Sequence, residues 1–326
     1  MAGEFTLAEL SKIEVDPLRK SVIDAFIMES NLAELIPWED IGALSIRVVR
    51  MGDLPSVGFR KVNEGYASGT GALEGKTEVI ALMGAYFDTD KAIARAKNTI
   101  ADARAITQTM MVKAMAFNFN DKFINGNPTS DPEEFKGIEK RCDDIYNEGY
   151  TNQLIDVGGS SVTEGILNSS TTRHNFLDKL DQLVYAIWGH SPDYLLMNHK
   201  TLLATRSLLR REQLLTTTKD MFDRVVDVYG SARMVDVGVA ADQSTEIIAE
   251  DETKGGGTTE CSIYAVKFGI GDLLWGIQEY PMEVEDLGRL KDKPIYRTEV
   301  DWPLGLADVN PYCMARLYGV IASAAS

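Results

Sequence analysis

Few residues in this chain stand in a pattern that could do chemistry. The most suggestive is TGALEGKT at 70–77. A phosphate-cradling loop needs Gly, four residues, then Gly-Lys-Ser/Thr, with a helix starting at once so that loop amides wrap the phosphates. Here Thr70 stands at the first glycine position, Gly69 and Gly71 each miss it by one, and the following EVIALMG reads as strand. Gly269-Ile270-Gly271 follows a strand-like run, as a dinucleotide-binding turn would, but Leu274 replaces the third glycine. It reads as a β-turn between strands. His174, His190 and His199 have no partner at metal-ligand spacing. Gly158-Gly159-Ser160 is a polar loop, not a nucleophile elbow. The acids at 131–134 and 250–252 lack the alternating spacing of a calcium loop and read as solvated turns. Cys142, Cys261 and Cys313 form no CxxC pair, which argues against a zinc site and against a disulfide framework. The expectation is a chain with no catalytic residue, no cofactor and no metal.

The composition points the same way. The chain has 326 residues, enough for about two domains at ~150 residues each. Its 33 Lys and Arg against 49 Asp and Glu give a net charge of −16, which phosphate backbones repel. No run of apolar residues is long enough to span a membrane. The start, MAGEFTLAELSKIEVDP, has acids where a signal peptide needs bases, so synthesis in a cytoplasm is expected.

The elements themselves are unusual. Residues 1–45 read as an arm plus a helix, with Asp16 as cap, Pro17 at the first helical position, and Val22, Ile23, Phe26 and Ile27 on one face. Residues 46–87 read as a β-hairpin whose tip carries Gly65, Gly69, Gly71 and Gly75. Arms of ~14 residues would reach roughly 45 Å. A two-stranded ribbon is not stable alone in water, so it must lie on something, and its length points to another subunit. Asp88 or Asp90 can then cap a helix of about 33 residues, roughly 50 Å long. Its expected apolar stripe is Ile93, Ala96, Ile100, Ala103, Thr107, Met110, Ala114 and Phe117. A second helix is expected over 175–188, stopped by Gly189, then a strand at 194–197 and a helix from Asn198 to Arg211. Residues 233–249, 261–280 and 295–320 read mostly as strand, and 250–260 as an exposed acidic loop. Helices and strands fall in separate blocks, the mark of an α+β chain.

That order of parts resembles the tailed-phage major capsid proteins, whose shared fold is the Hong Kong ninety-seven type. FINGNPTSDPEEFKGIEK resembles the turn after their spine helix, and SPDYLLMNHKTLLATRSLLRR a strand and helix of their axial domain. CSIYAVKFGIGDLLWGIQ resembles a late axial strand pair, and EVDWPLGLADVNPYCMARLYGV the final peripheral strand. The resemblance implies an N-terminal arm and helix (1–45), an extended hairpin overlapping a neighbouring subunit (46–87), and a peripheral domain with the spine helix (88–140). It also implies an axial domain (141–284) meeting its copies at five- and six-fold centres, and closing peripheral strands with the C-terminus (285–326). With no long extra region ahead of the arm, it further implies a separate scaffolding protein. A portal, a decoration protein and DNA enclosed without sequence-specific binding are the other expected partners, and the virion capsid the expected location. One branch of the family cross-links a hairpin Lys to an Asn, but no partner for Lys61 or Lys76 can be matched here.

Charge suggests how the hairpin docks. Residues 46–87 carry five bases and four acids, and residues 279–301 four bases and seven acids. The expected contacts are Arg47, Arg50, Arg60, Lys61, Tyr66 and Lys76 on the hairpin, meeting Glu283, Glu285, Asp286, Glu299 and Asp301 on an acidic neighbour. The competing readings are an encapsulin-type nanocompartment, which has the same fold, and a nucleotide-using enzyme built on residues 69–77.

Overall fold

The computed structural model describes residues 26, 30, 32–52, 54–66, 68–94, 103–158, 165–167, 169–219, 225–242, 244–291 and 293–322. The expected first helix, with Asp16, Pro17, Val22, Ile23 and Ile27, lies outside them. Only Phe26 of its apolar face is described, helical and buried.

The first three strands among the described residues are β1 (Trp38–Asp40), β2 (Ser45–Met51) and β3 (Leu73–Val79). β2 and β3 pair antiparallel from Ser45↔Val79 to Met51↔Leu73, giving the expected hairpin, but with arms of 7 residues. The described residues of 52–72 contain no strand: the Gly52 amide still donates to the Ala72 carbonyl at 3.0 Å, and Pro55 beyond it has no amide to donate. The second arm also stops sooner than its sequence suggests. At Ile80 the chain leaves the hairpin, and β4 (Ala81–Asp90) joins a different sheet.

Asp90 caps the next helical turn, its carboxylate accepting from the Ala92 amide at 2.7 Å. The spine helix is described from Ala103 as α1 (Ala103–Asn125), and residues 95–102 lie outside the described set, as do the side chains of Ile93, Ala103 and Thr107. The expected stripe needs correction where it can be checked. Met110 and Ala114 are exposed and Phe117 half-buried, whereas Val112, Met115, Ala116, Phe119 and Phe123 are buried. Both sets recur at helical spacing, and the one with the larger aromatic rings faces the core. There Trp302 meets Phe26 edge-on at 5.2 Å, Trp38 at 4.8 Å and Phe119 at 5.7 Å.

After α1, Gly126 and Gly137 pack backbone to backbone, the Gly137 amide donating to the Gly126 carbonyl at 2.8 Å. A Cβ on Gly126 would lie 2.4 Å from two carbonyl oxygens, so no other residue fits. Then follow α2 (Ile138–Asn147), β5 (Leu154–Asp156), α3 (Ser170–Ala186), β6 (Tyr194–Met197) and α4 (His199–Arg211). α3 starts in a Ser169/Thr172 capping box and ends near Gly189, at φ +71°. Asn198 caps α4, accepting from the Thr201 amide at 2.8 Å.

The remaining strands are β7 (Thr216–Lys219), β8 (Val225–Tyr229), β9 (Ala232–Asp236), β10 (Cys261–Val266), β11 (Leu274–Gln278), β12 (Glu283–Arg289), β13 (Ile295–Asp308) and β14 (Met314–Val320). Strand was expected through 249, but the ladder ends at Asp236, and Asp242 instead ties the Ser244 and Thr245 amides into a turn. Gly269–Gly271 is the expected turn between β10 and β11, with Gly271 at φ +80°.

Two large sheets result. One runs β1-β11-β13-β12, with β4 also on β13, and the other runs β5-β14-β10-β6-β9-β8-β7. A boundary drawn at 284/285 does not follow them. β11, before it, lies in the first sheet, and β14, after it, lies in the second, held by β10 and β5. In the first sheet β1 and β11 sit so close that a Cβ on Gly276 would stand 2.5 Å from the Trp38 ring.

Candidate assembly surfaces

The hairpin has two unlike halves. Across β2–β3, opposite residues share a face, and Ile46, Val48, Arg50, Lys76 and Glu78 turn inward while Arg47, Val49 and Val79 face out. Val48 packs with Ile80, Trp275, Ile277 and Ala307 of the same chain. The expectation that the whole ribbon rests on another subunit is therefore corrected: its paired half lies on its own body. The tip does not. Leu54, Val57, Phe59, Val62 and Tyr66 are 71–109% exposed, an apolar run that no element among the described residues covers.

The six hairpin residues separate accordingly. Arg47 is exposed, with its guanidinium over Gly75, where a Cβ would collide with it. Arg60 stacks over Tyr66 at 5.0 Å and donates to the Glu64 carbonyl at 3.2 Å, and Lys61 is exposed beside it. These four present charge and ring to the outside. Arg50 is 5% exposed and paired with Asp308 and with Glu148 at 2.7 Å, and Lys76 reaches Glu78 and Asp308, each at 3.0 Å. Both are engaged inside the chain. Lys76 also lies within a strand that continues into no helix, in a site already filled by two carboxylates.

The expected acidic face is assembled by strand pairing. β12 and β13 place Glu283 opposite Asp301 and Glu285 opposite Glu299. Four carboxylates thus share one side of the sheet in two like-charged cross-strand pairs, an arrangement that costs stability. Asp301 accepts from the Tyr280 hydroxyl at 2.5 Å. Asp286 sits at the bulge before Gly288 and accepts its amide at 2.9 Å. On the neighbouring strand, Tyr86 lies opposite Glu299 and Leu82 opposite Pro303, 60% and 70% exposed. The face is therefore acidic with an apolar margin. Arg297 closes one end, bidentate to Asp88 at 2.7 and 2.8 Å and 4.1 Å above the Tyr86 ring.

Some groups missed by sequence reasoning are internal. Glu252, expected in a solvated turn, is largely buried and accepts from Arg316 at 2.9 Å and Ser262 at 2.5 Å. Burial pushes its pKa up despite those partners. Glu134 of the other acidic turn holds Lys122 at 2.6 Å. An aromatic hollow of about 620 Å³, lined by Asn152, by Tyr185 and Trp188, and by Tyr312, also had no sequence signal, because its parts lie on three separate segments. Among the described residues no group of His, Cys, Asp and Glu could hold a metal, and no helix is long and apolar enough to cross a membrane.

Comparison with known proteins places this geometry. The family model of the major capsid protein GP7 matches residues 22–170, just under half of the chain. No curated protein matches it. Among solved structures, the holo-SrpI encapsulin complex of Synechococcus elongatus aligns with a TM-score of 0.61 at 15% identity, covering 90% of this chain and 89% of that one. The capsid of a native GTA particle gives 0.58 at 12% identity, with 91% and 90% covered. Mycobacterium phage Bobi gives 0.57 at 9% identity, with 88% and 89% covered. The resemblance read from the order of elements is borne out, and the chain has the Hong Kong ninety-seven-type fold of the tailed-phage major capsid proteins.

Proposed function

We propose that this chain is the major capsid protein of a tailed bacteriophage. It is a wall subunit, not an enzyme: copies associate into pentamers and hexamers, and these close an icosahedral shell around packaged double-stranded DNA. Closed rings of a head-to-tail contact are the geometry such a shell requires. The observation that carries the reading is the hairpin tip, with five large apolar side chains that no described residue of its own body covers. Contiguous exposed apolar surface of this kind marks an interaction site.

In this reading the tip crosses onto a neighbour, where Arg60 and Lys61 approach the carboxylates of Glu283, Glu285, Glu299 and Asp301, and the tip's apolar residues cover Leu82 and Tyr86. Asp286 borders that face. Arg47 adds charge outside the ribbon, and Tyr66 carries Arg60. The peripheral region is built on 88–140 with the first sheet, including β11, β12 and β13, and the axial region on the second sheet within 141–284 together with β14. Assembly uses a separate scaffolding protein and a portal, with a decoration protein on the finished shell. The subunit is made in the host cytoplasm and ends in the virion. The net charge of −16 suits a container whose walls let DNA slide.

The similarity to an encapsulin complex supports a second reading, a nanocompartment shell. Negative-stain microscopy of the expressed chain, alone and with a candidate scaffold, separates the two. Closed particles that need the scaffold support the capsid, and closed particles from the chain alone support the compartment. A stable monomer at high concentration in both conditions refutes both.

A further inference from the structure

The inward face of the hairpin converges on one carboxylate. Asp308, at the end of β13, is fully buried and receives cations from three elements: Arg50 of β2, Lys76 of β3 at 3.0 Å, and Arg141 of α2. Glu78 takes both terminal nitrogens of Arg141, at 3.0 and 2.9 Å, and Lys76 at 3.0 Å. Half-exposed Glu148 takes the other Arg50 nitrogen, at 2.7 Å. Arg141 is anchored to the body through the Leu306 carbonyl at 2.7 Å and the Lys136 carbonyl at 2.9 Å. Three cations thus face three carboxylates.

Such a cluster is a poor source of net stability, because desolvation offsets its attraction. What it supplies is direction. The apolar contacts of the ribbon, Ile46 and Val48, hold its inner end. Arg50 is the last inward side chain before Gly52, where the bare tip begins. The ionic contacts therefore hold the outer end, where the tip departs.

We propose that Asp308 is the positioning residue of the hairpin: by gathering Arg50 and Lys76 from its two strands and Arg141 from the body, it clamps the ribbon's outer end and fixes the direction in which residues 52–72 leave the subunit. This rests on reading the tip as the contact between copies. The direction is then set within each subunit before it meets another. Burial and the neighbouring Arg141 lower the Lys76 pKa to about 8. Burial would raise that of Glu78, but Arg141 and Lys76 outweigh it and hold the carboxyl below its usual range. The clamp is accordingly closed at neutral pH and loosens on either side: in acid, once Glu78 is protonated, and above about pH 8, as Lys76 loses its charge.

Amide hydrogen exchange on the full-length unassembled subunit tests this. Asp308→Asn should lower protection of the amides at 47–51 and 73–77 at least tenfold at pH 7, leaving β10 and β14 unchanged. In the unaltered chain the same amides should lose protection as pH falls through the Glu78 titration, and also as pH rises past about 8, where Lys76 loses the charge that joins it to Asp308. Arg50→Gln should give a smaller loss in the same place. If Asp308→Asn does not fold, Lys76→Met, which removes one cation and keeps the stem, carries the same local expectation. Unchanged exchange in a folded variant overturns the proposal. So does a rise spread over both sheets, which marks a general stability role. Because the measurement needs no shell, failure to form particles would sink the capsid reading and leave this result standing.

Discussion

The acidic face makes a prediction with two opposite signs. Glu283 and Glu285 stand directly across from Asp301 and Glu299, so each pair repels within the isolated subunit. Replacing Glu283→Lys and Glu285→Lys together turns both into opposite-charge pairs. A cross-strand charge pair is worth about 0.2–1 kcal/mol in either direction, so reversing two of them should stabilise the subunit by about 0.8–4 kcal/mol. With an unfolding entropy of ~2.1 cal/mol/K per residue, a chain of this length should melt about 1–6 °C higher. In the proposed docking, the same change presents ammonium groups to the neighbour's Arg60 and Lys61. A loss of only ~1.4 kcal/mol per contact raises the concentration needed for association tenfold. The assay is thermal unfolding of dilute subunit beside light scattering during assembly, both at ~0.05 M and ~0.5 M salt, since screening should shrink both effects. A subunit that melts lower would refute the geometric argument. A variant that melts higher yet assembles as well as the unaltered chain would refute the docking argument and leave the geometry intact.

Other expectations follow from single contacts. Gly276→Ala puts a methyl against the buried Trp38 ring, and the urea midpoint should fall by the equivalent of about 1–3 kcal/mol. Gly271→Ala has open space and only a strained φ, so its cost should be nearer ~1 kcal/mol. Burial pushes Cys142, Cys261 and Cys313 up to about 12, so iodoacetamide at pH 8 should leave the native chain untouched and modify all three after unfolding. Because those folded values lie above the ordinary 9, the thiols' contribution to stability is whole below pH 9 and drains away as pH rises from 9 toward 12. Trypsin should cut free subunits after Arg60 or Lys61 within minutes and spare assembled particles. Arg60→Glu with Lys61→Glu should weaken assembly without lowering subunit stability.

Much of the fold could be read from local chemistry. The Asn198 cap, the Gly189 stop and the apolar face of Phe176, Leu180 and Leu183 are set by neighbours within a few residues, and the structure has them as expected. The glycine-rich tip was likewise legible. The inner ribbon was not. Arg50 and Lys76 look like solvent-facing charges until Asp308, more than 230 residues away, is placed beneath them. The spine helix failed for another reason: its alanines and methionines permit two stripes, and only the position of Trp302 chooses Phe119 and Phe123 over Met110 and Phe117. Acidic Glu283 and Glu299 could be counted from sequence, but their alignment across a ladder needed the register.

The join between β13 and β14 constrains any change of shape. Residues 309–313 carry the chain from the first sheet to the second in five steps, with the Asn310 side chain holding the Tyr312 amide at 2.9 Å. So short a bridge tolerates little slack. In the proposed shell, if the two sheets tilt differently in six-fold and five-fold rings, this bridge must twist, and Asp308 at its start will feel the torque. Curvature of the wall and the bearing of the outstretched finger are then mechanically geared to one another.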